Sequence, residues 1–242
     1  MQDDRERDTR QALAACYRLI ARFGLTDIVS THISARIPGT ETILINPYGL
    51  LFHEIRASDL VAVSLDGTLR DAGASPINPA GYLIHGAIHG ARDDAGCVLH
   101  THGVNGVAVS CLAEGLLPIS QHALQFHGRI GYHAYEGIAL LEAEKARLVA
   151  DLGPHRAMIL RNHGLLTVGR TIGEAFLLMV NLDHACAIQL KARAAGTITP
   201  IADAICALTA QQHEGFAGMP TGEPEWTALT RDLARTDPDF AD

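Results

Sequence analysis

His100 and His102 stand two residues apart at the end of an apolar run, Cys97 to Leu99, and a third histidine lies in Arg161-Asn162-His163-Gly164. Residues i and i+2 of an extended strand project from one face, so a single strand can carry two imidazoles to one point. A third imidazole from a distant turn would complete a three-ligand set for a divalent ion and leave coordination positions open. That is how catalytic, rather than structural, metal sites are built. Imidazole is also the commonest metal ligand. Among 13 histidines in 242 residues a pair spaced by two also arises by chance. The third histidine, which follows its own apolar strand (Met158 to Leu160) and precedes a glycine, tips the reading toward a metal centre.

Several elements are needed to hold those residues. A first helix is expected from about Asp8 to Phe23, with Leu13, Cys16, Tyr17 and Ile20 on one face and Gly24 as its stop. Short strands are expected at His32–Arg36, Thr42–Asn46 and Leu60–Ser64, separated by turns at Pro47-Tyr48-Gly49 and Asp66-Gly67. Asn78 caps a helix that begins with Pro79, buries Leu83, Ile84 and Ile88, and leads into the histidine strand. After His102 the pattern predicts a helix over Val104–Leu112, a strand over Gly137–Leu141, and a helix over Glu142–Leu152 stopped by Gly153-Pro154. Met158–Arg161 and Leu165–Val168 then pair across Asn162-His163-Gly164, and Thr171 with Glu174 forms a capping box for a long helix to about Ala194. Ile201–Gln212 reads as a helix, 215–224 as a Gly/Pro-rich loop, and Trp226–Arg235 as a short helix or arm. The whole is expected to be one mixed α/β domain over 1–196, with a helical tail over 197–242.

Composition narrows the function classes. The formal net charge is −8 and Lys145 and Lys191 are the only lysines, so the clustered cations of a nucleic-acid surface are missing. No apolar run reaches membrane-spanning length, and the first residues lack the basic and apolar blocks of a signal peptide. A cytoplasmic enzyme with a small-molecule substrate is the expectation. Cys16, Cys97, Cys111, Cys186 and Cys206 show no C-x-x-C spacing and read as reduced, buried thiols.

The order of Ala35-Arg36, Ile45-Asn46-Pro47-Tyr48-Gly49-Leu50-Leu51, Ala80-Gly81-Tyr82-Leu83-Ile84-His85, His100-Thr101-His102 and Arg161-Asn162-His163-Gly164 resembles the class II aldolase/adducin family over roughly Arg10 to Ala194. The resemblance implies a three-layer α/β/α sandwich around a largely antiparallel sheet. It also implies fourfold-symmetric homotetramers with sites between subunits, and one divalent ion, zinc or manganese, on His100, His102 and His163. In sugar-phosphate aldolases of the family a glutamate on the preceding helix is the catalytic acid/base. Here that place falls on Gly81, which has nothing to titrate.

Other departures concern the ligand. The family's phosphate-binding segments are rich in hydroxyls, whereas the matching places here read Ser30-Thr31-His32-Ile33-Ser34, Asn46-Pro47-Tyr48-Gly49 and Asn78-Pro79-Ala80. Tyr48 and Ala80 in place of serines argue against a sugar phosphate. Tyr48 either faces a flatter, aromatic substrate or packs. His85, four residues after Gly81 on the same helix, is the candidate proton carrier, since helical side chains lean toward the amino terminus and its ring could cover the gap. Its alternative is a core contact. Gln121, His122 and His127 fall where the family sends residues toward a neighbouring subunit's site, or else lie on the surface; Tyr135, like Tyr132, either joins them or packs in the core ahead of a strand. Arg161 either grips a substrate carboxylate or holds backbone.

The expected function is a divalent-metal-dependent carbon–carbon lyase acting on a small non-phosphorylated hydroxy or oxo acid, decarboxylase-like or aldolase-like. Decarboxylation needs an electron sink most, and it loses less than retro-aldol cleavage does when the glutamate is gone. Two rivals stand beside it. One is a non-haem iron oxygenase on the same three histidines, which resembles other branches of the family. The other is a non-catalytic assembly module resembling adducin, against which weighs the short acidic segment Asp237-Pro238-Asp239-Phe240-Ala241-Asp242 where adducins carry a long, basic-ended extension.

Overall fold

The computed structural model describes residues 2–70, 73–214 and 221–242. Helix α1 (Gln2–Arg22) begins well before the expected start, with Asp3 and Asp4 favourably placed in its positive first turn. Its expected face is buried: Leu13, Cys16, Tyr17 and Ile20 are all solvent-inaccessible. Seven strands follow through the chain, β1 (His32–Arg36), β2 (Thr42–Ile45), β3 (Val61–Ser64), β4 (Cys97–Thr101), β5 (Ile130–His133), β6 (Ala157–Leu160) and β7 (Gly164–Gly169). They form one sheet in the order β3-β2-β1-β4-β7-β6-β5, antiparallel throughout except for the β5–β6 pair.

Strand alternation sorts the core into two layers. From β4, β6 and β7, residues Cys97, Leu99, Ala157, Ile159 and Leu165 join α1 and α6 (Ile172–Ala195) in the larger apolar cluster. Val98, Met158, Leu160, Leu166 and Val168 point the other way, onto α2 (Pro79–Ala91) and α5 (Glu144–Leu152). Helices on both faces of a largely antiparallel sheet make the three-layer sandwich. By the same parity His32 and Ser34 of β1, and His100 of β4, share the α2 side.

Helix α2 starts as its sequence requires: the Asn78 side chain accepts from the Ala80 and Gly81 amides, and Pro79 occupies the first turn. Thr171 likewise caps α6 through the Glu174 amide. The Glu174 carboxylate, however, turns to the Arg170 amide, so the box is displaced by one residue. Shorter helices α3 (Val104–Ser110) and α4 (Gln121–Leu124) lie between β4 and β5. After 196 the chain forms α7 (Asp203–Glu214) and α8 (Glu223–Thr236). Leu233 and Phe240 enter the larger cluster, and buried Arg18 donates to Asp237 at 3.0 Å and to the Ile55 carbonyl at 2.9 Å.

Three expectations change. The strand expected at Gly137–Leu141 is irregular chain with Ile138, Leu140 and Leu141 more than half exposed; the strand lies earlier, at Ile130–His133, paired parallel to β6. Of the loop expected over 215–224, residues 215–220 lie outside the described residues and Glu223 already begins α8. Cys111 is exposed, whereas the other four thiols are buried as expected. No helix among the described residues is long and apolar enough to cross a membrane.

Candidate metal centre

His100, His102 and His163 converge: one ligand nitrogen from each lies within 4.8 Å of those of the other two. His100 is carried by β4 and pairs in register with Leu166 of β7, which fixes its direction through the sheet ladder. His102 follows immediately. His163 sits at the turn between β6 and β7, where Asn162 takes a left-handed conformation (φ 57°) that asparagine tolerates better than most residues. Gly164 is required there, because a Cβ would stand 2.4 Å from the Thr101 carbonyl oxygen.

The outer hydrogen bonds settle the tautomers. His100 Nδ1 donates to the Leu165 carbonyl at 2.9 Å, and His102 Nδ1 donates to Asp27 Oδ2 at 2.9 Å. With one proton on each ring, committed to those outer partners, the Nε2 lone pairs turn inward, and those two nitrogens face each other 2.9 Å apart. Two acceptors at that distance cannot bond to one another, but they suit a shared cation. With metal–nitrogen bonds of about 2.0–2.1 Å, two nitrogens on one tetrahedral ion would stand about 3.3 Å apart, within a few tenths of an ångström of this separation. A carbonyl and a carboxylate behind the ligating rings are the usual outer partners of such a site. Burial, with smaller contributions from His102 and His133, pushes the His163 pKa down to about 4, so this ring is neutral at physiological pH.

The remaining sequence candidates divide. Arg161 and Tyr135 line the pocket that His163 enters, together with Ile84, His133 and Glu144. The Tyr135 ring centroid lies 6.4 Å from that of His163, and the side chain is about half exposed. Arg161 donates to the Leu112 carbonyl at 2.7 Å and stacks 4.4 Å over the Tyr132 ring, a backbone-holding role. Tyr48 lines a separate cleft with Pro47, Leu50 and Pro76. Gln121 and His122 begin α4; the His122 ring contacts His184, and His127 pairs with Asp203 at 3.3 Å.

Gly81 is the instructive case. Its gap is not covered by His85: a Cβ on Gly81 would stand 2.5 Å from Cδ2 of His32, whose ring fills the space. His85 lies behind His32, solvent-inaccessible. The reason is the β1–β4 ladder, in which His32 is the register partner of His100 and is thrust toward α2. Nothing local in the sequence marks His32, since its partner on α2 is 53 residues away. The signal was negative, a glycine on a buried helix face where a neighbour's side chain needed room.

A protein-family comparison finds the Class II Aldolase and Adducin N-terminal domain over residues 11–190. A solved aldolase II superfamily protein from Pseudomonas syringae is 48% identical, covering 98% of this chain and 96% of its own, with a TM-score of 0.92. An L-fuculose 1-phosphate aldolase from Glaciozyma antarctica is 30% identical over 97% and 93% of the two chains, with a TM-score of 0.85. Rat alpha-adducin is 45% identical over 78% of this chain, which spans only 26% of the adducin's length. With the family match running through all three histidines and a relative alike almost end to end, the chain belongs to the class II aldolase and adducin family.

Proposed function

We propose that the protein is a divalent-metal-dependent carbon–carbon lyase for a small, non-phosphorylated hydroxy or oxo acid, decarboxylase-like or aldolase-like. The observation that carries this reading is the convergence of the His100 and His102 Nε2 nitrogens, 2.9 Å apart beside His163. His100, His102 and His163 hold one ion, Zn or Mn, which when bound supplies an electron sink for charge developing on a chelated substrate oxygen. Asp27 orients the His102 ring and the Leu165 carbonyl that of His100, and Tyr135 and Arg161 line the small pocket beside His163. Gly81 provides no carboxylate for the proton transfer of a retro-aldol step, which favours loss of carbon dioxide as the bond cleavage. His122 and His127 are proposed to serve a neighbouring protomer in a cytoplasmic homotetramer. Exposed Ile138, Leu140 and Leu141 offer apolar surface for that assembly.

The test is a panel of 2-hydroxy and 2-oxo acids, aromatic members included, given to metal-loaded protein with carbon dioxide and aldehyde release both measured. L-fuculose 1-phosphate serves as the comparison substrate. Turnover of the acids with no cleavage of the sugar phosphate is expected; robust cleavage of the sugar phosphate would overturn the substrate assignment. Oxygen consumption coupled to turnover would favour the iron oxygenase on the same ligands. Stoichiometric failure to bind any divalent ion would favour an assembly module of the kind the adducin likeness suggests.

A further inference from the structure

A second set of imidazoles lies beside the three already described. His32 on β1 and His85 and His89 on α2 are 3%, 0% and 0% exposed, and none has a carboxylate partner among the described residues. Isolated burial keeps each ring neutral, with one N–H and one lone pair. They are linked in a line. His32 Nδ1 is 2.8 Å from His85 Nε2, His85 Nδ1 is 2.5 Å from Ser34 Oγ, Ser34 Oγ is 2.8 Å from His89 Nε2, and His89 Nδ1 is 2.9 Å from the Ala95 carbonyl.

One end of the line is fixed, and that determines every link. A carbonyl only accepts, so His89 Nδ1 carries the proton and its Nε2 accepts from the Ser34 hydroxyl. With its one proton committed, that hydroxyl accepts from His85 Nδ1. His85 Nε2 is then an acceptor, and His32 Nδ1 must donate to it. A single nitrogen is left over, His32 Nε2, and it must bear a lone pair. The His32 ring lies 5.0 Å, centroid to centroid, from that of its ladder partner His100.

We propose that His32 is a specificity-determining residue of the metal centre: its Nε2, locked as a hydrogen-bond acceptor by the Ser34–His85–His89–Ala95 line, selects a metal-bound group that brings an O–H or N–H donor. The proposal rests on the metal-centre reading above and gives it a chemical preference, for hydroxy acids over their ethers. His85 is a positioning residue here, acting through His32.

Two measurements test it. In metal-free protein, long-range proton–nitrogen NMR of the histidine rings, assigned with His32→Phe, should find His32, His85 and His89 all in the Nδ1–H form. An Nε2–H form of His32 would overturn the proposal. In protein loaded with Co(II), the visible absorption should report glycolate binding about five- to tenfold tighter than methoxyacetate, the worth of one neutral hydrogen bond. His32→Phe, which keeps a ring in the space but removes the acceptor, should abolish that ratio; an unchanged ratio would refute the selection. Failure to take up Co(II) would count against the metal centre itself, while the nitrogen spectrum of the metal-free protein would still decide the tautomer of His32.

Discussion

The ring of His32 occupies the volume that a side chain at Gly81 would need: three of its atoms lie 2.5–2.9 Å from where a Cβ would stand. An alanine in a helix ordinarily improves on glycine by up to about 1 kcal/mol. Here that gain is outweighed by overpacking, which typically costs about 1–3 kcal/mol in a filled interior. Gly81→Ala should therefore destabilise the protein by about 1 kcal/mol in urea unfolding, and adding His32→Ala should recover most of the loss. A stabilised single variant would show that the two residues do not compete for space.

Asp27 is predicted to tune metal affinity without touching the ion. It accepts from His102 Nδ1 at 2.9 Å and so holds the ring with Nε2 inward. Outer partners of ligating histidines are generally worth 10–100-fold in affinity, and Asp27 is partly exposed, which places it at the lower end. Competition with a chromophoric chelator should show Asp27→Ala binding the ion about tenfold more weakly, at unchanged stoichiometry. Alanine at His100, His102 or His163 should instead abolish stoichiometric binding while the far-ultraviolet circular dichroism is retained.

Acid should weaken the metal-free fold at a pH where carboxylates are still ionised. Burial pushes the pKa of His32 and of His89 down to about 3 and that of His85 well below its ordinary value of 6.5. The unfolded chain takes up protons at these rings as pH falls through 6.5, and the folded chain does not. The stabilisation is thus fully present above pH 7 and is lost progressively on acidification below 6.5. Each ring should remove about 1 kcal/mol between pH 7 and 5.5. Urea midpoints across that interval check this, and His89→Gln should flatten the slope by one ring's share.

Leu233→Ala should cost about 3 kcal/mol, the usual price of an emptied core position. The side chain is solvent-inaccessible in the larger cluster although it lies on α8, far along the chain from the histidines. Metal stoichiometry should survive the substitution. A loss below 1 kcal/mol by urea unfolding would mean that α8 is only loosely docked.

What could be read from the sequence was whatever is encoded locally. The paired histidines at the end of an apolar strand, the Asn78-Pro79 helix start and the Asn-His-Gly turn each carry their reason within a few residues. The misplaced strand had no such reason. Ile138 and Leu140 alternate with Gly137 and Ala139 as a half-buried strand would, yet they and Leu141 are exposed. Ile130–His133, broken by Gly131, was chosen by its parallel partner β6. Gly131 itself is explained only by tertiary contact, since a Cβ there would stand 2.4 Å from the Asp151 carbonyl oxygen. His32 was legible only as part of a segment matching the family's ligand-binding places; its position against Gly81 and beside His100 was not, because strand register and helix packing across some fifty residues brought it there.

Since His32 and His100 are opposite members of a backbone ladder, the separation of their rings is inherited from interstrand spacing, which varies little under thermal motion. The loops that surround the centre can then drift, lengthen or be exchanged between relatives without retuning it. A scaffold of this kind is suited to grafting new substrate-contacting loops onto an unaltered cluster of imidazoles.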